Sequence, residues 1–374
     1  MTIKEFGETI EFNIRHGIKH AVLGLGAPGV GKSQLIGQIG EKFGYKVIDL
    51  RLAQMSEVEI GGLIYPNEAR TKTVWLAPDV LPDEKRDGEK TILLLDEITS
   101  CSKRVQVAAY QLILDRRIGQ YRLPEGTFVI GLGNREDDDG VYIQLAGPLA
   151  DRFEIHYIEP DFEGWKFDYA LKNGVHPLVI SYLTHRPQSL HTQAVEQGSM
   201  TFATPRSWVR VSDILKIDPD VSRAVVRNKI IGNIGENEGR QFIQYCRENK
   251  DFISADDFIE GRVKAKDEMD HILILISAVA DKLRFLKKAQ SMQDLSPEQQ
   301  ALTQKAVAAL IELPRGEYII LALKEIMELN RGIVRNVILQ TDNHRLSRFI
   351  QDNLYALGLE DANKKSKLGL AMYD

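Results

Sequence analysis

The sequence predicts an α/β fold over its first 158 residues, a parallel sheet with helices on both faces, followed by a region built of helices. Three observations predict it. Short, nearly continuous apolar runs alternate with helical stretches up to about residue 158, and strands so apolar belong to parallel sheets covered on both faces. A glycine-rich stretch, "GAPGVGKS" at 26–33, stands where the first such run gives way to the first helical one. After residue 160 the strand signals fade and apolar residues recur at helical spacing.

Five runs read as strands: "AVLGLG" (21–26), "KVIDLR" (46–51), "TILLLD" (91–96), "TFVIGLG" (127–133) and "FEIHYIE" (153–159). Between them, "KSQLIGQIGEKFG" puts Leu35, Ile36, Ile39 and Phe43 on one helical face, and Gly44 suits a C-terminal cap. "SKRVQVAAYQLILDRR" does the same with Val105, Ala108, Ala109 and Leu112, and Ser102 caps its start. Strands and helices in alternation argue for helices on both sides of one sheet. Further on, Trp165 with Tyr169 and Phe167 with Leu171 form four-apart pairs before Gly174, as in a short helix. "TPRSWVRVSDILK" opens with Thr204 as N-cap and Pro205 at the first helical position. A long helix is expected through "EMDHILILISAVADKLRFLKKA", and Ser296 and Pro297 start the next one. The tail "NKKSKLGLAMYD" (363–374) is expected to be mobile.

At 374 residues the chain exceeds one ordinary core. Its expected division is an α/β domain over 1–158, a helical lid over 159–254 and a C-terminal helical extension over 255–374. A net charge of −5 offers no general attraction to nucleic acid or anionic membrane. Cys101 and Cys246 stand far apart and give neither a disulfide framework nor a zinc pattern. The opening "MTIKEFGETIEF" lacks a signal-peptide layout, and "HILILISAVA" is too short for a bilayer, so a cytoplasmic place is expected.

The chemistry starts at "GAPGVGKS". A phosphate chain is held by converging backbone N–H groups, which requires a backbone able to turn tightly without a Cβ. Gly26, Gly29 and Gly31 supply that freedom, and the following helix brings its positive end. In this spacing Lys32 reaches the β- and γ-phosphates and the Ser33 hydroxyl binds Mg²⁺. "TILLLDEIT" then sets Asp96 and Glu97 at the C-terminal end of a buried strand, where open α/β sheets bind ligands. Asp96 suits Mg²⁺ through water, and Glu97 suits a general base. Asn134, ending "TFVIGLGNRE", can donate and accept together. Arg152 stands just before an apolar strand in "PLADRFEI". Arg206 opens a helix, where a cation is unfavourable unless an anion compensates. Taken singly, Asn134 and Arg152 have plainer readings, a turn asparagine and a surface arginine in a salt bridge.

Together and in this order the motifs resemble the AAA+ ATPase family, specifically its MoxR type, over roughly residues 15 to 215. The resemblance implies a three-layer P-loop domain that binds ATP and Mg²⁺. Gly26, Ala27, Pro28, Gly29, Val30, Gly31, Lys32, Ser33 and Gln34 correspond to Walker A, and Asp96 and Glu97 to Walker B. Ser33 and Asp96 are then the metal-side residues. Asn134 resembles sensor 1, Arg152 the arginine finger that reaches a neighbouring subunit's nucleotide, and Arg206 sensor 2. The resemblance further implies a β-hairpin insert, for which "GLIYPNEARTKTVWL" with "PNEA" as turn is the candidate, and a second hairpin at "RRIGQYRLPEGTF". Tyr65 and Trp75 are the insert's candidate contacts for a substrate. Adenine contacts are expected from "IRHGIKHA" (14–21) and the lid. The sequence departs from the MoxR pattern where Arg135 follows the sensor asparagine in place of proline, and where "REDDDG" is strongly acidic. Arg117 and Arg135 therefore stand as rivals for the trans-acting arginine.

What hydrolysis drives is read from the resemblance alone. It implies a homo-oligomeric ring, a hexamer, that remodels or activates a partner protein, with a von Willebrand factor A-domain protein as partner. The alternative is a nucleic-acid translocase or loader subunit, against which the acidic balance counts.

Overall fold

The structure is a computed structural model that describes residues 1–138, 142–145, 147–192, 201–250, 254–340, 349 and 353. The C-terminal tail expected to be mobile and the last two residues of "REDDDG" lie outside the described residues. The chain forms two compact units, Met1–Asp161 with His191–Ser207, and Phe162–Leu190 with Trp208–Asp374.

The first unit holds five parallel strands: β1 (Ala21–Gly26), β2 (Lys46–Arg51), β5 (Thr91–Asp96), β8 (Phe128–Gly133) and β9 (Phe153–Ile158). Their order across the sheet is β2-β5-β8-β1-β9. Successive strand residues face opposite sides, and both sides are apolar. Val22, Ile92, Leu94 and Ile130 meet Phe6, Ile10, Ile36 and Ile39 of the helices Ile3–His16 and Lys32–Phe43. Leu23, Leu25, Leu93 and Leu95 meet Val105, Ala109 and Leu112 of the helix Lys103–Leu114 on the other side. The result is the three-layer α/β arrangement expected. Ser102 caps the last helix by accepting from the Val105 N–H, and Gly44, with φ +69, ends the second.

Both hairpins are present. β3 (Leu63–Pro66) pairs antiparallel with β4 (Thr73–Leu76), and β6 (Arg117–Ile118) with β7 (Tyr121–Arg122). The insert's turn differs from the "PNEA" expectation, because Pro66 pairs with Thr73 as the last strand residue. Asn67 instead organises a longer turn, its Oδ1 accepting from the N–H groups of Thr71 at 2.9 Å and Lys72 at 3.2 Å.

The second unit is helical among its described residues. The expected short helix before Gly174 is interrupted by a π-helical stretch, Trp165–Ala170. That widened turn carries Lys166 inward, 2 % exposed, to within 2.7 Å of Glu325 Oε2, itself 1 % exposed. Ser277 Oγ donates to the other Glu325 oxygen at 3.1 Å. The long helix expected through residue 289 stops at Lys282 and continues as a 3₁₀ turn, Arg284–Lys288. Three residues per turn stack Leu283 and Leu286 on one side, where both are fully buried. Asn330 Nδ2 donates to the carbonyls of Leu286 and Ala289, at 3.1 and 2.8 Å. Among the described residues no helix is long and apolar enough to cross a membrane. Both cysteines are buried thiols, which burial pushes up to about 11 at Cys101 and about 12 at Cys246.

Candidate functional site

The site lies at the C-terminal ends of the central strands. β1 ends at Gly26, whose Cα side presses on β9: a Cβ there would come within 2.6 Å of the Ile158 carbonyl oxygen. The loop then turns through Gly29 at φ +80 and Gly31 at φ +97, backbone states that L side chains resist. Gly31 leads directly into the helix Lys32–Phe43, which has no side-chain cap and no acidic residue in its first turn. Its first N–H groups therefore remain available at the positive end of the helix.

Lys32 lies over this loop. Its Nζ donates to the carbonyls of Gly26 and, at 2.9 Å, Ala27, and only 8 % of the residue is exposed. Burial lowers the amine to about 8, against the opposing pull of Asp138 and Asp96, while Arg135 and Arg206 push it further down. Ser33 Oγ donates to Asp96 Oδ2 at 2.6 Å, joining residues 63 apart in sequence. The other Asp96 oxygen, Oδ1, accepts from the Glu97 N–H at 2.8 Å. Glu97 itself is exposed and sits at φ +59, in the left-handed region that is strained for a side-chain-bearing residue. The chain thus leaves β5 by a sharp turn that puts one carboxylate beside Ser33 and the next in the open. Asp49 on β2 belongs to the same acidic neighbourhood: burial first, then the Asp96 charge, raises its carboxyl.

Asn134 follows β8, whose last residue, Gly133, registers with Leu25 just before the glycine loop. Thr99 holds it there, a contact that sequence reading missed. The Thr99 hydroxyl accepts from the Asn134 N–H at 2.8 Å and donates to its carbonyl at 3.1 Å. A Cβ at position 133 would sit 2.6 Å from that hydroxyl, so a glycine before the asparagine was the available signal.

The arginines divide. Arg206 is exposed one residue into its helix, after the Thr204 cap expected, and its charge is felt at Lys32. Arg152 lies at the opposite, N-terminal end of the strands, because the next residue, Phe153, registers with Ala21 at the start of β1. The length of β1, six residues at about 3.3 Å each, or roughly 20 Å, separates that end from the glycine loop. Arg152 is exposed, with Asp151 3.6 Å away. Arg117 is likewise exposed, 4.0 Å from Asp115. Arg135 is engaged within the chain, paired with Asp138 at 3.1 Å and with Glu159.

Of the insert aromatics, Tyr65 is 57 % exposed among other exposed apolar residues: Leu63, Ile64, Val74 and Leu76. Trp75 instead packs inward. Its Nε1 donates to the Gly61 carbonyl at 2.7 Å, and its ring lies against Gly62 and Gly119, where no Cβ would fit.

A family profile, the AAA domain of the dynein-related subfamily, matches residues 21–153. The sequence matches none of the curated proteins with which it was compared. Among solved structures, a presumed ATPase from Cytophaga hutchinsonii is similar at 13 % identity and TM-score 0.30, over 79 % of each chain. A point mutant of RuvB from Thermotoga maritima is similar at 16 % identity and TM-score 0.32, over 91 % of this chain and 89 % of that one. At those scores neither bears on how this chain folds or acts. The profile match spans the glycine loop, Asp96, Glu97 and Asn134, so that stretch of the chain is similar to AAA domains.

Proposed function

We propose that the chain hydrolyses ATP with Mg²⁺, and that Lys32, Ser33, Asp96 and Glu97 carry the chemistry. The observation that carries this reading is the 2.6 Å bond from Ser33 to Asp96 beside a glycine loop with an uncapped helix start. The donor set fits a polyphosphate: converging N–H groups, a buried amine bonded to loop carbonyls, and a hydroxyl–carboxylate pair that suits a hard divalent cation. When bound, Mg²⁺ supplies charge neutralisation at the phosphate oxygens. The residues from Gly26 through Gln34 hold the phosphates, and Lys32 Nζ turns from its carbonyls toward them. Glu97 takes a proton at its carboxylate from the attacking water, and Asn134 orients that water. Arg206 approaches the phosphates from its helix.

Arg152 acts in trans in this reading, since roughly 20 Å of sheet separates it from its own cradle. A ring of identical subunits follows, hexameric as in the MoxR type that the motifs resemble. The exposed apolar hairpin favours a protein partner, such as a von Willebrand factor A-domain protein, over nucleic acid. The helical residues on either side of 254 serve as lid and assembly surface, and the buried thiols suit a reducing cytoplasm.

The test is Glu97→Gln. The amide keeps the size of the side chain but takes no proton, so turnover falls on the order of 10²–10⁴-fold while ATP stays bound. Unchanged hydrolysis removes Glu97 from the mechanism. Hydrolysis stimulated by DNA and not by any protein would replace the partner reading.

A further inference from the structure

The glycine loop is touched from outside itself by Thr204, the residue at which "TPRSWVRVSDILK" opens. A Cβ built on Gly29 would lie 3.0 Å from both Cβ and Oγ1 of Thr204, and 3.4 Å from its Cγ2. Thr204 therefore stands in space that only a glycine leaves, against a loop residue at φ +80. The same side chain also caps the next helix. Thr204 Oγ1 accepts from the Ser207 N–H at 3.1 Å, and the Thr204 N–H donates to Ser207 Oγ at 2.8 Å. Ser207 Oγ closes the ring by donating to the Thr204 carbonyl at 3.0 Å. Inside this reciprocal cap lie Pro205, whose ring fixes its own φ, and Arg206. The first turn is thus held at both ends, which fixes the backbone from which its one long, exposed cation projects. The Arg206 charge is felt at Lys32, so the turn brings it within electrostatic reach of the cradle.

We propose that Thr204 is a positioning residue that ties Arg206 to the glycine loop. Its methyl and hydroxyl rest on Gly29 while its hydroxyl fixes the turn that carries the arginine. Any change at Gly29 when phosphates bind is then passed to Arg206 through one side chain. The inference rests on the nucleotide reading above, and it assigns Thr204 no contact with nucleotide.

The test compares Thr204→Val, which keeps the shape and loses the acceptor, with Thr204→Ser, which keeps the acceptor. Arg206→Ala and the double variant Thr204→Val with Arg206→Ala complete the cycle. In the full-length chain, Thr204→Val is expected to lower kcat for ATP by about one to two orders of magnitude, the effect of displacing a reacting-centre group by about 1 Å. Its ADP affinity should stay close to wild type while Tm falls by no more than the lost cap explains, and Thr204→Ser should recover most of the rate. In the Arg206→Ala background, Thr204→Val should cost nothing more, because the residue it positions is gone. Multiplying losses in the double variant, or a fall in Tm and ADP affinity together with kcat, would overturn the proposal. An unsubstituted chain that binds no ATP would sink the nucleotide reading itself. Normal wild-type turnover matched by full turnover in Thr204→Val would sink only the role of Thr204.

Discussion

Raising the pH should weaken nucleotide binding through Lys32 alone. In the free chain its amine is lowered from 10.5 to about 8, chiefly by burial. A bound polyphosphate favours the charged form, so the amine's pKa is higher in the complex than in the free chain. The sign follows: below about pH 8 the amine is charged in both states and affinity is flat. Above it, binding must take up a proton, and affinity falls up to tenfold per pH unit. With a free-chain value near 8, the charged fraction drops about tenfold between pH 7 and pH 9, or about 1.4 kcal/mol of binding free energy. Phosphate groups, with a second pKa near 6, are already ionised across this range and add no slope. The assay is titration of the wild-type chain with a fluorescent ATP analogue and Mg²⁺ between pH 6.5 and 9.5. Lys32→Arg is the control, since a guanidinium stays charged throughout; its weaker binding should be flat. A wild-type affinity unchanged at pH 9, or an equal slope in Lys32→Arg, would refute the reasoning.

Arg152→Ala should bind ATP and hydrolyse it poorly, by a factor on the order of 10³–10⁵, and mixing it with Lys32→Ala subunits should restore activity, since mixed rings contain an intact cradle beside an intact arginine. No recovery in confirmed mixed rings would return the trans role to Arg117, or to Arg135 once freed of Asp138. Lys166→Met should destabilise the second unit by about 3–5 kcal/mol, by leaving Glu325 buried and uncompensated, while Lys166→Met with Glu325→Leu recovers most of it in urea titrations. His176 caps the helix Pro177–His185 by accepting from the Leu178 N–H at 3.2 Å, and burial, with Lys216, lowers its ring to about 4. Because the unfolded ring binds its proton near 6.5, this stability is whole above pH 6.5 and lost as pH falls toward 4. The loss amounts to about 3 kcal/mol. His176→Asn should lack that part of the acid dependence in thermal unfolding.

The sequence alone determined the strands almost to the residue, since "AVLGLG", "KVIDLR" and "TILLLD" coincide with β1, β2 and β5. β2, at the edge of the sheet, is largely exposed and carries Lys46, Asp49 and Arg51, whereas β1 and β5 are buried along nearly their whole length and apolar to match, a local signal. The same holds for Ser102 and Thr204 as caps and for the glycine loop, whose spacing is its own signature. Only tertiary structure decided what meets across the chain. The parallel pairing of β1 with β9, which sets Arg152 and the glycine loop at opposite ends of two neighbouring strands, joins distant segments, on which periodicity is silent. Lys166 could not be read as a core residue, because a lysine looks solvated in sequence until a π-turn sets it against Glu325. Tyr65 and Trp75 look alike in sequence and part company because Gly62 and Gly119 leave room for one ring only. Thr204 caps its helix by local chemistry that any reader of the sequence can see. That it also rests on Gly29, 175 residues away by subtraction of their numbers, depends on a close approach made only once the chain has folded.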